Sequence, residues 1–157
     1  MRFLATLVMC SPLVAQTFRV MPSVALRSGP SSLVVTLLSA PGQEPVALQW
    51  KIRLGTEVTA EVKDIVVGAG AAKANKAVTC APAAKPAADG LVYNCILAGG
   101  VQPIANGPVF LVNYRLKETA APQTLVVRVS DAMAVLQRLD HVRKTDIAPA
   151  EGTITIR

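Results

Sequence analysis

The chain has 157 residues and carries 16 Lys and Arg against 10 Asp and Glu, a formal net charge of +6, which is room for one domain with a sizeable core. The cations are scattered from Arg19 to Arg157 rather than clustered, so the basic patch that would neutralise many phosphates is missing, which argues against a nucleic-acid partner. One His, His141, and three Cys provide no metal-ligand spacing, and neither a metal nor a cofactor is expected.

Residues 1–15 read as a secretory signal peptide. Arg2 supplies the positive start, an apolar run follows from Phe3, and Val14 and Ala15 precede the cut. Such a run is too short to span a bilayer, which takes about 20 apolar residues. The mature domain is therefore predicted over residues 16–157, with no transmembrane segment, secreted, periplasmic or at the cell surface. Leu13 is larger than the residues preferred at its place before the cut, so the boundary is soft by a few residues. Two alternatives stand beside this reading. The segment is also compatible with a buried first element of a cytosolic domain, and Leu7-Val8-Met9-Cys10 has the outline of a lipoprotein box with Cys10 as the lipid site.

Beyond the leader, the first β-rich run is Leu33 to Leu38, after the turn chemistry of Ser28-Gly29-Pro30. The strongest periodic signal follows at Val46 to Leu54, where Val46, Leu48, Trp50, Ile52 and Leu54 alternate with Ala47, Gln49, Lys51 and Arg53. Strict alternation predicts a strand with one buried and one wet face. Val58 to Val67 reads as a further strand, with Glu57 and Glu61 on its wet face and Asp64 on the other, marking a bulge or the strand end.

From Gly68 to Gly90 the chain is rich in Ala, Gly and Pro and can bury little surface; it is predicted as a surface excursion, with Val78 and Thr79 adding a short strand. Cys80 in this excursion and Cys95 beyond it are the only cysteines left after the leader. In an oxidising compartment they are expected to pair, at a gain of roughly 3 kcal/mol for a loop of about 15 residues; two buried free thiols are the alternative. Leu91 to Leu97, Val109 to Leu116, Thr124 to Val129 and Thr153 to Ile156 complete the strand set. Ser130 to Leu139 fits either an amphipathic helical turn capped by Ser130 or Asp131, or an extended segment, and the extended reading is preferred. Many short strands divided by turns, with intervals too short for crossover helices, predict an antiparallel β-sandwich.

The order of these pieces resembles a cohesin-type domain and the related sandwiches of carbohydrate-binding modules. The resemblance rests on Ser28-Gly29-Pro30 before Leu33-Val34-Val35-Thr36-Leu37, on Pro45 to Ile52, on Val66-Val67-Gly68-Ala69-Gly70, on Asn106-Gly107-Pro108 leading into Val109 to Tyr114, and on Glu151 to Ile156. It implies a jelly-roll sandwich of about nine strands from an exported bacterial protein, serving as a non-catalytic docking or surface module. A dockerin-like protein, another surface protein or a polysaccharide is the implied partner. No repeated Asp-x-Asn-x-Asp loop occurs in the chain, so a dockerin would belong to another molecule. Cohesin-like sandwiches bind with one sheet face, which the resemblance places on Val58 to Val67 and Leu91 to Leu97. The outward residues there are Thr59, Glu61, Lys63, Val92, Asn94 and Ile96. The competing expectation is that the Ala-rich excursion covers Val92 and Ile96.

Enzymatic readings find little support. A small secreted hydrolase would need a nucleophile held against a base, yet no Gly-x-Ser-x-Gly elbow occurs and His141 lies among Asp140, Arg143, Lys144 and Asp146. A glycosidase needs two carboxyls facing across a cleft, whereas Glu57 and Glu61 share one strand face with Asp64 opposite. Sugar binding calls for exposed rings. Trp50, Phe110 and Tyr114 fall on apolar stripes, Tyr93 is expected beside the disulfide, and Phe18 is left as the one mobile aromatic.

Overall fold

The computed structural model describes residues 16–27, 29–84, 88 and 90–157; the predicted leader with Cys10, Ser28 of the predicted turn, and Lys85, Pro86, Ala87 and Asp89 of the Ala-rich excursion lie outside them. Alternation of large apolar with polar side chains leaves each strand with one dry face, and two sheets bury those faces against each other. In the first sheet β3 (Ser31–Ser39) lies between β1 (Gln16–Val20) and β9 (Gly107–Leu116), and β9 also pairs with β5 (Val58–Thr59) and β6 (Ile65–Val67). The second sheet has the order β2 (Ser23–Ala25), β12 (Ala150–Ile156), β10 (Thr124–Gln137), β4 (Ala47–Leu54), β8 (Leu91–Ala98), β7 (Ala77–Pro82). Beside the second half of β10 runs β11 (Val142–Ile147). Strand neighbours are antiparallel except β2 with β12. The fold is the expected all-β sandwich, with twelve strands among the described residues because β2, β5 and β6 are pieces of only three, two and three residues.

Both long strands owe their shape to bulges. In β9, Val109 and Phe110 are both buried where the register against β3 shifts. In β10 the register against β4 shifts between Ser130 and Met133, and Asp131 takes φ 48°, a left-handed conformation that Asp tolerates better than most residues. Ser130 to Gln137 is thus strand throughout, with Asp131 at a bulge and not a helix cap; the bulge restores inward alternation so that Ala132, Ala134 and Leu136 stay buried.

The core centres on Trp50 stacked on Phe110, ring centroids 4.3 Å apart, with Phe18 edge-on to both at 6.2 and 6.3 Å. Phe18 is therefore not mobile but 6% exposed, because β1 alternates Gln16, Phe18 and Val20 inward. Each such burial is worth roughly 1.5–3 kcal/mol.

Two predicted segments are reorganised. Val58 to Val67 is not one strand: a 3-10 turn at Val62–Asp64 separates β5 from β6, and the Glu61 N–H donates to Asp64 Oδ2 at 2.8 Å. The carboxylate thus answers a backbone donor that a strand would have paired in its ladder. The Ala-rich excursion holds α1 (Ala69–Ala72), with Gly70 and Ala71 buried, and then all of β7. Small residues let α1 lie against β9: a Cβ on Gly68 would stand 2.5 Å from the Pro108 carbonyl oxygen. At Gly90, φ +138°, a Cβ would meet the Leu54 carbonyl oxygen at 1.8 Å, so no other residue fits that approach.

Candidate functional site

The outward face of the second sheet follows from register. On β8, Tyr93, Cys95 and Leu97 are buried, which turns Asn94 and Ile96 outward together with half-buried Val92. Ile96 lies opposite Gln49 of β4 and Thr79 of β7, and it is 51% exposed. The described part of the Ala-rich excursion is spent on α1 and on β7, which continues the sheet past β8 instead of folding over Ile96.

Cys80 and Cys95 are directly opposed across β7 and β8 and joined by a disulfide, Cα atoms 4.1 Å apart. Lys76, at the approach to β7, is 5% exposed and donates to the Gly99 and Gly100 carbonyls at 2.5 and 3.1 Å. Burial lowers its pKa. These ties hold the margin of the face.

The other half of the face is charged. Lys51 Nζ reaches Asp131 Oδ2 at 2.5 Å, the carboxylate being turned outward by the bulge. Arg128 holds Glu151, with Nε donating at 2.7 Å and the guanidinium terminus pairing as well. Arg53 stands between Arg128 and Val92 in register. Lys51, Arg53 and Arg128, with Ser130, Pro149 and Glu151, line a cleft of about 650 Å³.

The six residues proposed from sequence do not share this face. Val92, Asn94 and Ile96 are on it, whereas Thr59, Glu61 and Lys63 lie at the margin of the first sheet, because β5 and β6 pair with β9 and not with β8. There the Thr59 hydroxyl donates to the Arg115 carbonyl at 3.1 Å, and Lys63 pairs with Glu61 at 2.9 Å. That hydrogen bond and the Glu61 charge raise the Lys63 pKa. What sequence reasoning missed were the β4 and β10 members of the face, Gln49, Lys51, Arg53, Arg128 and Met133. Alternation marked the β4 residues as wet; which strands flank them was not readable.

His141 sits in the exposed turn between β10 and β11, with Asp140 Oδ1 at 2.6 Å from Nδ1. Among the described residues no three metal-ligating side chains converge, and no helix is long and apolar enough to cross a membrane.

No protein-family model and no curated protein matches the sequence. Solved structures do match. A non-cellulosomal cohesin from Archaeoglobus fulgidus has a TM-score of 0.65 at 13% identity, covering 90% of this chain and 91% of its own. A type I cohesin–dockerin complex from Clostridium thermocellum gives 0.66 at 10% identity over 91% of this chain and 99% of the other. A type III cohesin module from a cell-surface anchoring scaffoldin of Ruminococcus flavefaciens gives 0.61 at 12%, covering 98% and 93%. In fold, then, this chain is a cohesin-like domain.

Proposed function

We propose that the chain is an exported, non-catalytic docking module that holds another protein against the outward face of the β7-β8-β4-β10 sheet. The observation that carries this is Ile96, a large aliphatic half exposed in mid-strand on the outward face of the sheet. A dockerin-like partner is supported by the cohesin-like fold and by neighbours solved as cohesin–dockerin complexes. Export is supported by the leader pattern of residues 1–15. The sugar-binding reading gains nothing from the structure: Phe18, Trp50, Tyr93, Phe110 and Tyr114 are all buried, so the described residues offer no ring for a saccharide to stack on.

Interface energy concentrates in a few large groups that become buried, and on the β8 part of this face Ile96 is the candidate. Ile96→Asp is the test. Used as bait on the secreted fraction of its source, the wild-type protein is expected to capture a partner that the variant loses, with an unchanged melting temperature because Ile96 is already half in water. Equal capture by both proteins would refute the site, and a fall of several degrees in melting temperature would show that Ile96 serves the core.

A further inference from the structure

The turn into β9 carries chemistry that docking does not use. Asn106-Gly107 is the only Asn-Gly pair in the chain; Asn75, Asn94 and Asn113 are followed by Lys76, Cys95 and Tyr114. A backbone nitrogen can attack the Cγ of the Asn before it, and glycine, with no Cβ, crowds that approach least. In that reaction the Gly107 nitrogen gives up its proton and bonds to Asn106 Cγ, the Cγ–Nδ2 bond breaks, and the side-chain nitrogen leaves as ammonia. Water then opens the resulting imide at either carbonyl, leaving aspartate or isoaspartate.

Asn106 is exposed to water, yet its amide is held at both atoms. Oδ1 accepts from the Ser39 N–H at 2.7 Å, and Nδ2 donates to the Ser39 carbonyl at 3.2 Å. The side chain thus serves the end of β3 as a strand neighbour would, one residue before β9 begins at Gly107 opposite Leu37. Bringing Cγ over the Gly107 nitrogen means breaking both bonds, and at their usual net strength the pair favours the held amide about tenfold or more.

We infer that Asn106 is a deamidation site that the fold keeps closed: clamped to Ser39 it persists, and it converts when the end of β3 opens. The conversion runs one way. The acid it leaves accepts from the Ser39 N–H but, once ionised, has no hydrogen for the Ser39 carbonyl and sets a negative oxygen against it. Isoaspartate also adds a methylene to the main chain ahead of β9. Ser39 stands opposite Gln16, whose Nε2 donates to the Gln43 carbonyl at 2.5 Å, so the seam that loosens joins the start of β1 to the end of β3. The site lies on the first sheet and is independent of the docking reading.

The test incubates the folded, disulfide-bonded protein and the urea-unfolded chain side by side in mildly alkaline buffer and maps aspartate and isoaspartate by peptide mass. In the unfolded chain Asn106 is expected to convert first among the four Asn, and in the folded protein about tenfold or more slowly. Asn106→Asp stands in for the product. It is expected to melt several degrees below wild type near neutral pH and to exchange amides faster in β1 than in β10. That deficit should shrink below about pH 4, where the carboxyl regains a proton to donate. Equal rates in the two states, or another Asn converting ahead of Asn106 in the unfolded chain, would overturn the site. A variant that melts with wild type, or whose deficit is the same on both sides of that pH, would overturn the part given to the Ser39 carbonyl.

Discussion

Tyr93 ties the two sheets together at a point where neither ladder reaches. Its hydroxyl donates to the Ala60 carbonyl at 2.6 Å, linking β8 to the segment after β5. Burial, with the nearby Asp64 and Glu61 charges, raises its pKa above the ordinary 10.0. The folded chain thus keeps this proton where the unfolded chain has lost it. The tether's contribution is complete below about pH 10 and is lost as pH climbs through the raised value. Tyr93→Phe is expected to cost about 1 kcal/mol at pH 8 and to flatten the alkaline loss, read by urea melts at pH 8 and above pH 10. At this scale the sequence told much. Trp50 and Phe110 were legible as core from alternation alone. Phe18 was not, because the alternation of Gln16, Phe18 and Val20 spans a strand of only five residues, too short a period to stand out by itself.

The most dependent element is β7. None of its six residues is buried, so hydrophobic burial does little to hold it; backbone pairing to β8, the disulfide and the Lys76 carbonyl contacts do. Cys80→Ala/Cys95→Ala is expected to lose about 3 kcal/mol and to speed amide exchange in β7 well before the rest of the sheet. Uniform exchange across β7 and β4 in that variant would show that the strand is held without the bridge. Composition had flagged this stretch as unable to bury surface, and that was right about energy; it missed that an edge strand needs only one neighbour and a covalent clip. Val58 to Val67 failed for a different reason. Its alternation is genuine, but a carboxylate three residues past Glu61 finds a backbone N–H to accept, and that local bond breaks the strand.

For the whole molecule, alternation and turn chemistry sufficed to read a sandwich, since both are local signals. Which strands share a sheet depends on pairings far apart in sequence, such as β4 with β10 and β5 with β9. That is why the six proposed contact residues divide between two sheets instead of sharing one face. The proposed leader is also a property of the whole chain. Intact-mass and N-terminal analysis of protein recovered from its natural source is expected to find a start near Gln16. A chain retaining Met1, or one beginning at a lipid-bearing Cys10, would overturn that reading.

The long strand β10 keeps β4 along one side through both of its halves, while β12 and then β11 share the other. The turn joining β10 to β11 is closed by the Arg138 N–H on the His141 carbonyl at 2.9 Å, with Leu139 fully in solvent. Lengthening that turn adds little loop entropy and disturbs no register. The molecule therefore carries a natural splice point, where a tag or a second folded unit can be grafted between Leu139 and Asp140 while the rest of the sandwich keeps its shape.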